Sequence, residues 1–393
     1  MYRKIEKELL KWKENHKKPL MLIGTRQTGK TYIIEEFCKK NYDSYLYFNL
    51  EKESDILSIF ETTIIPEEII EKIEIIKNKN INLENTIIIF DEIQVSEQAI
   101  TSLKYFCGKV NFKYLYPLDF EEFLIGIGET KLIEEIKKHY KTNEKLLNPI
   151  HEKAIDLYKK YLILGGMPEV VQEFIDKNYK IQDVNLSLQE DIIMSYLADM
   201  SKYTEKNESI KNIKIYNSIP KELSKENKTF KFSLVDENAR KSRYETSLEW
   251  LKASFMIIRC NLITKNESPF IAYTNEEKFK LYLSDTGLLR SLSNINYTEI
   301  LMEKNMMYKG VLTENYVACE FFSKFKEINY YTFNKYEIDF IIKINDDIIP
   351  VEVKSGNRTK HTSLNEYIKK YSPKYSILIS EKNFGFENNI KSV

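Results

Sequence analysis

Short apolar runs punctuate the N-terminal third of the chain: Leu20-Met21-Leu22-Ile23, Tyr45-Leu46-Tyr47-Phe48 and Ile87-Ile88-Ile89-Phe90. Each is bounded by polar or turn residues and reads as a strand. Around them apolar positions recur at helical spacing, over 2–16, from 32 to 40, over 54–61 and over 67–77, with Pro66 at a helix start. In 2–16, Ile5, Leu9, Leu10 and Trp12 gather near one face. The run at 85–92 is apolar on both faces and ends on Asp91-Glu92, which suits the middle of a parallel sheet covered by helices. Beyond residue 143 the pattern turns helical (150–163, 168–178, 183–203), broken by Gly165-Gly166 and reopened by Pro168. Residues 209–262 then predict helices at 211–216, 218–226 and 239–254, a strand-like FKFSLV at 230–235 and a closing strand at 256–260. That order suits a winged helix-turn-helix. Lys309 opens a further helix, and strands follow at 337–342 and 349–354.

The first strand runs directly into Gly24-Thr25-Arg26-Gln27-Thr28-Gly29-Lys30-Thr31, a G-x-x-x-x-G-K-T loop with a helix behind it. In that context backbone N–H groups turn inward around phosphate oxygens at the helix N-terminus. Gly24 and Gly29 permit an approach that a Cβ would block. Thr25, Gln27 and Thr28 complete the cradle, Lys30 reaches the β- and γ-phosphates, and Thr31 offers its hydroxyl to Mg²⁺. Ligands of parallel sheets sit beyond the C-terminal strand ends, where both the loop and Asp91-Glu92 emerge. Asp91 is expected to hold Mg²⁺ through water and Glu92 to polarise the attacking water. The competing role for Asp91 is a helix N-cap. Gln94 is a weaker candidate for a substrate or γ-phosphate contact. The loop predicts a nucleotide site.

The strand at 349–354 alternates, with Val351 and Val353 on one face and Glu352 and Lys354 on the other. Asp339 meets that second face if the two strands pair as neighbours. An Asp followed by Glu-x-Lys on an adjacent strand is the arrangement of restriction-endonuclease-like metal nucleases. In that class Asp339 and Glu352 supply oxygen ligands for Mg²⁺, and Lys354 orients the attacking water and offsets developing charge. Glu314, on the preceding helix, matches the acidic residue that assists the metal. The alternative is a cross-strand salt bridge on a solvated face. Upstream, Lys221, Lys225, Lys228, Lys231, Arg240, Lys241 and Arg243 make 209–262 locally basic, offset by Glu222, Glu226, Asp236 and Glu237. Phosphate contacts to DNA and simple domain packing both remain open there.

With 393 residues the chain predicts two or three domains. A content of 30% charged and 42% apolar residues suits a folded chain. Basic and acidic residues balance at 59 each, so any binding to nucleic acid must come from local patches rather than a whole-chain field. Cys38, Cys107, Cys260 and Cys319 lie far apart, and His16, His139, His151 and His361 are equally scattered, so neither a disulfide framework nor a zinc site is indicated. There is no signal-peptide core and no apolar run near the ~20 residues of a membrane span. A cytoplasmic protein with no membrane contact is expected.

The stretches GTRQTGKT (24–31), YLYFNLEK (45–52), IIIFDEIQ (87–94), YPLDFEEFL (116–124), LGGMPEVV (164–171), KELSKENKTFKFSLV (221–235) and YEIDFIIKI…IIPVEVKSG (336–356) resemble the AAA-type ATPases of bacteria and archaea that carry a C-terminal domain of unknown function 4143. The resemblance implies ATP and Mg²⁺ as ligands, DNA as a partner, and assembly into a homo-oligomeric ring in which a neighbour donates an arginine. Arg26, inside the loop, is poorly placed for that job. The implied fold class is α/β: a P-loop NTPase parallel sheet over 1–140, a helical region over 141–208, a winged-helix module over 209–275 and a restriction-endonuclease-like α/β C-terminal domain over 276–393. One departure stands out. Relatives carry a sensor strand between Phe106 and Val110, where this chain has only Cys107-Gly108-Lys109. Either residues 110–116 take that strand's place between the loop strand and the Asp91 strand, or those two close up imperfectly. Relatives also continue past the strand at 374–380 through a further apolar segment, so the C-terminal domain is expected to lack its last element. The expected function is a Mg²⁺-dependent, ATP-binding P-loop ATPase acting on DNA through a nuclease-like domain. The alternative is a hydrolysis-impaired, nucleotide-dependent DNA-binding regulator or scaffold without nuclease activity. A small-molecule kinase would need an acceptor-binding lid, which the sequence does not offer.

Overall fold

The computed structural model describes residues 1–15, 18–82, 84–107, 109–236, 240–356 and 360–393, so His16, Gly108 and Glu237 lie outside the described residues. The chain divides into two compact units. The smaller holds residues 2–24 and 28–115, and the larger holds residues 1, 25–27 and 116–393.

In the smaller unit the elements run α1 (Ile5–Asn15), β1 (Leu20–Ile23), α2 (Lys30–Asn41), β2 (Ser44–Asn49), α3 (Ser54–Thr62), α4 (Pro66–Lys77), β3 (Thr86–Asp91), α5 (Glu97–Cys107) and β4 (Asn111–Tyr114). Helices cover both faces of the apolar strand β3, as its pattern requires, but among the described residues it pairs with β2 alone and does not lie mid-sheet. Ile87 and Ile89 pack with Ile5, Leu9, Ile33 and Phe37 of α1 and α2, while Ile88 and Phe90 pack with Ile56, Phe60, Ile69 and Ile73 of α3 and α4. The sheet between these helix layers is not continuous. β2 pairs with β3 in parallel from Ser44↔Thr86 to Asn49↔Asp91, and β1 pairs with β4 in parallel from Leu20↔Asn111 to Ile23↔Tyr114. Among the described residues no ladder joins β3 to β1 or to β4. Residues 111–114 therefore do not bridge the loop strand to the Asp91 strand. The sequence between Phe106 and Val110 is too short for another strand, and each half-sheet is left with an unpaired edge. That is why β3 is only half-buried along its length.

The larger unit continues with α6 (Phe120–Gly126), α7 (Thr130–Thr142), α8 (Asn148–Leu164), α9 (Pro168–Asp176), α10 (Ser187–Tyr203), α11 (Lys206–Leu223), α12 (Phe232–Val235), α13 (Lys241–Ala253), β5 (Ile257–Ile263), β6 (Thr274–Leu283), α14 (Thr286–Leu292), α15 (Tyr297–Leu301), α16 (Met306–Phe325), β7 (Ile328–Phe333), β8 (Tyr336–Ile344), β9 (Asp347–Val353), α17 (Thr362–Tyr371), β10 (Ser376–Ile379), β11 (Gly385–Glu387) and β12 (Ile390–Ser392). Eight strands form one mixed sheet in the order β11-β12-β10-β9-β8-β7-β5-β6.

Several expectations are corrected here. The smaller compact unit ends at residue 115, and Leu118, Phe123, Leu124, Leu132 and Ile133 enter the same core as Val170, Leu288 and Phe340. The module boundary at 275/276 falls inside β6, whose pairing with β5 makes both part of the large sheet. Among the described residues of the expected winged-helix module, β5 and β6 belong to the large sheet. Its strand-like segment includes the short helix α12, and Phe230 and Phe232 meet edge-on at 5.2 Å, with Phe230 stacked on Phe279 of β6 at 5.5 Å. The two helices expected over 211–226 are one, α11, with Pro220 inside it. Past Ser380 the chain adds β11 and β12, and β12 pairs in parallel with β10. No helix among the described residues is long and apolar enough to cross a membrane.

The Gly165-Gly166 break is an interlock. Gly166 donates its N–H to Asp285 Oδ2 at 2.6 Å, and Asp285 Oδ1 caps α14 by accepting from Leu288 N–H at 2.9 Å. A Cβ on Gly166 would stand 2.0 Å from the carbonyl oxygen of Leu118, so only glycine fits. Burial pushes the Asp285 carboxyl up to about 6, against the pull of these backbone donors. A carboxyl raised on folding binds more protons in the native state, so its contribution to stability is greatest below about pH 4 and declines as pH rises through 6. Urea titrations from pH 4 to 7 should show wild type losing about 3 kcal/mol relative to Asp285→Asn, from a shift of about two pH units; a pH-independent difference would contradict this.

Candidate nucleotide site and C-terminal acidic cluster

The loop after β1 is shaped by its two glycines. A Cβ on Gly24 would stand 1.9 Å from the carbonyl oxygen of Leu115, and Gly29 caps α2 in the left-handed region at φ 82°. No side chain caps α2 at Gly29, which suits a helix N-terminus that receives an anion. Lys30 Nζ donates to Gly24 O at 2.9 Å, folding back over its own loop. Thr28 is fully buried, and its carbonyl accepts from Arg3 Nη1 at 3.0 Å. Thr25, Arg26 and Gln27 cluster with the larger unit. There Thr25 Oγ1 donates to Phe255 O at 3.1 Å, Arg26 pairs with Asp199 at 2.7 Å, and Gln27 Nε2 donates to Ser195 Oγ at 2.9 Å.

Asp91, at the C-terminal end of β3, meets the start of α2. Its Oδ2 accepts from Thr31 Oγ1 at 3.0 Å and from the Tyr47 hydroxyl at 2.6 Å, and its Oδ1 accepts from the Glu92 N–H at 3.0 Å. Glu92 takes the left-handed region at φ 51°, and its carboxylate accepts from Gln94 Nε2. Burial, and then the hydrogen bond to Asp91, push the Tyr47 hydroxyl up to about 12, so it remains a donor. A cation, a hydroxyl and a carboxylate at an open helix N-terminus form a donor set that fits a magnesium-bound triphosphate, because Mg²⁺ needs only one or two protein oxygens beside phosphates and water.

In the larger unit β8 and β9 are antiparallel neighbours, with Phe340 opposite Val351. Asp339 Oδ2 accepts from Val353 N–H at 2.8 Å, and Lys354 pairs with Glu352 at 2.6 Å. Glu352 Oε2 is buried without a hydrogen-bond partner. Burial, then the nearby Glu314 and Glu352, raise the Asp339 carboxyl to about 7. Glu314 is differently engaged. Its Oε1 accepts from the Tyr282 hydroxyl at 2.5 Å and faces Lys280 Nζ at 3.4 Å, and its Oε2 pairs with Lys228. Burial would raise this carboxyl, but Lys280 and Lys228 outweigh it and hold it at about 2. Lys280 is itself fully buried, paired with Glu337 at 2.7 Å and lying 4.9 Å from the Tyr330 ring. Among the described residues no group of three or more His, Cys, Asp or Glu side chains is placed to hold a metal ion. Asp339 and Glu352 with its orphaned oxygen fit a cation; Glu314, committed to two lysines and a tyrosine, does not fit as a third ligand.

Comparison with known families matches residues 16–114 to the family described as AAA domain, and residues 309–393 to Domain of unknown function (DUF4143). Residues 16–114 are thus similar to the AAA domain of AAA-type ATPases, and residues 309–393 to the domain of unknown function 4143. Residues 155–299 match a further Domain of unknown function (DUF8612), which runs across the predicted boundary at 208/209, as the shared core does. No curated protein matches the chain.

The AAA domain therefore carries Gly24, Lys30, Thr31 and Asp91 where its motifs predict a nucleotide. Sequence reasoning passed over Tyr47, because an aromatic on a strand reads first as core. It also passed over Lys280, although a lysine between Phe279 and Leu281 in an apolar strand was a legible anomaly. Replacing Lys280 with Met removes one of the two cations of the buried Glu314 and the partner of Glu337. The expected loss is about 3–5 kcal/mol in urea unfolding, partly recovered by adding Glu314→Gln; a loss below about 1 kcal/mol would show that Lys280 is not the counter-ion.

Proposed function

We propose that this AAA-family chain binds Mg²⁺–ATP in its N-terminal loop, turns it over slowly, and acts on DNA through its C-terminal domain. The observation that carries the nucleotide reading is the Thr31–Asp91 contact at 3.0 Å, which brings two motifs sixty residues apart in sequence to one point. Thr31 and Asp91 would hold Mg²⁺, directly or through water. The ion would offset phosphate charge and orient the terminal phosphoryl group. Glu92 is the residue to polarise water, and its bond to Gln94 marks a carboxylate already engaged. Among the described residues no ladder joins β3 to β1 or to β4, so the sheet beside the terminal phosphate is not held by backbone pairing, which favours slow turnover.

For the C-terminal domain, the orphaned Glu352 Oε2 beside Asp339 supports a metal-assisted nuclease with Lys354 as the charge-offsetting residue. The engagement of Glu314 by Lys228 and Lys280 favours the second reading, a DNA-binding scaffold that does not cut.

Labelled ATP titrated against the full chain should bind in Mg²⁺. Lys30→Ala should weaken binding by more than about tenfold, the scale of a lost charge-assisted contact. Steady-state phosphate release should fall below about 1 per second, the low end of ordinary turnover; faster release that Glu92→Gln abolishes would overturn the slow-turnover reading. Supercoiled DNA with Mn²⁺ separates the two C-terminal readings. Nicking that Asp339→Ala abolishes selects the nuclease, and salt-dependent binding without nicking selects the scaffold.

A further inference from the structure

Tyr47 lies two residues before the end of β2, opposite Ile89 in the parallel register, while Asn49 stands opposite Asp91. Its ring therefore reaches diagonally along the ladder to place the hydroxyl 2.6 Å from Asp91 Oδ2. That oxygen also accepts from Thr31 at 3.0 Å, and the other is held by the Glu92 N–H at 3.0 Å. Three donors on two oxygens fix both the rotamer and the plane of the carboxylate.

The need for such a strut follows from the sheet. Asp91 ends β3, in the β2–β3 ladder, and Thr31 follows the strand of the β1–β4 ladder. In a continuous sheet, backbone hydrogen bonds fix the spacing between neighbouring strand ends. Among the described residues no ladder joins the two halves, and Thr31, Asp91 and Tyr47 make a side-chain link from one to the other.

We propose that Tyr47 is the positioning residue of the magnesium site. Its hydroxyl holds Asp91 in the orientation that faces Thr31, so that both oxygens are in place when the metal–nucleotide complex arrives. Tyr47 does not itself touch metal or phosphate. The inference rests on the reading of the loop as a Mg²⁺–ATP site. Hydrogen-bond partners of this kind typically change metal affinity by about 10–100-fold.

The test uses the full chain and a fluorescent ATP analogue, titrated first in EDTA and then at rising Mg²⁺. Tyr47→Phe removes the hydroxyl and keeps the ring. Its affinity in EDTA should match wild type, whereas the Mg²⁺ concentration giving half the metal-dependent gain should rise by about tenfold. Asp91→Asn sets the upper limit of the effect, and thermal melts confirm that each variant is folded. If Tyr47→Phe shows the wild-type Mg²⁺ dependence, the proposal is overturned. If it weakens nucleotide binding equally with and without Mg²⁺, its role is packing and the proposal is again overturned. If wild type binds no analogue under either condition, the Mg²⁺–ATP reading fails, and the inference falls with it for that separate reason.

Discussion

The Asp91 carboxylate, gripped by the Thr31 and Tyr47 hydroxyls and by the next backbone amide, is the interaction on which the AAA domain depends. A P-loop site needs its phosphate cradle and its acidic strand end at a fixed separation, because Mg²⁺ tolerates little deviation in ligand distance. Sheets normally provide that separation through backbone pairing. In this chain the pairing stops on either side of a break, and three side chains take over the task. A hydroxyl–carboxylate link is softer than a ladder, since each such bond contributes about 1.5–3 kcal/mol and can rotate. A bound metal–nucleotide complex would therefore add more order here than in a continuous sheet.

The larger unit follows a different rule. Its core is broad and apolar, yet the buried Lys280 and Glu314 sit within it, joined by the partly exposed Lys228 and Glu337. Buried pairs of this kind add little net stability, but removing one partner strands the other, so the group behaves as a unit. It defines what the nearby Asp339, Glu352 and Lys354 have to work with. Glu352 is paired with Lys354, Asp339 accepts from the Val353 N–H, and Glu314 is already neutralised by Lys228 and Lys280. The Asp285–Gly166 interlock, by contrast, is a matter of shape, with glycines where no Cβ fits.

Legibility differed between units for physical reasons. The loop at 24–31, Asp91 and the two-faced strand were readable because their chemistry is local: a glycine spacing, an apolar run, an acid at its end. The gap between Phe106 and Val110 also announced a missing strand, though not how its neighbours would respond. Both suggested responses assumed that the sheet would stay whole, whereas it divides into two ladders. Domain limits are hard to read because they depend on distant contacts: residues 118–133 join a core whose other buried members lie beyond residue 156. Residues 230–235 looked like a strand because alternating Phe230, Phe232 and Leu234 mimic one, while ring packing on Phe279 sets their conformation. β11 and β12 span three residues each, too few to leave a periodic trace.

The central claim is that nucleotide and metal together join two half-sheets through Asp91. Amide hydrogen exchange on the full chain, followed across residues 20–23 and 86–91, tests it most directly. The account predicts slowed exchange in both strands when ATP and Mg²⁺ are present together, and loss of that coupling in Asp91→Asn. Slowing confined to the loop strand, or equal slowing with ATP in EDTA, would contradict it.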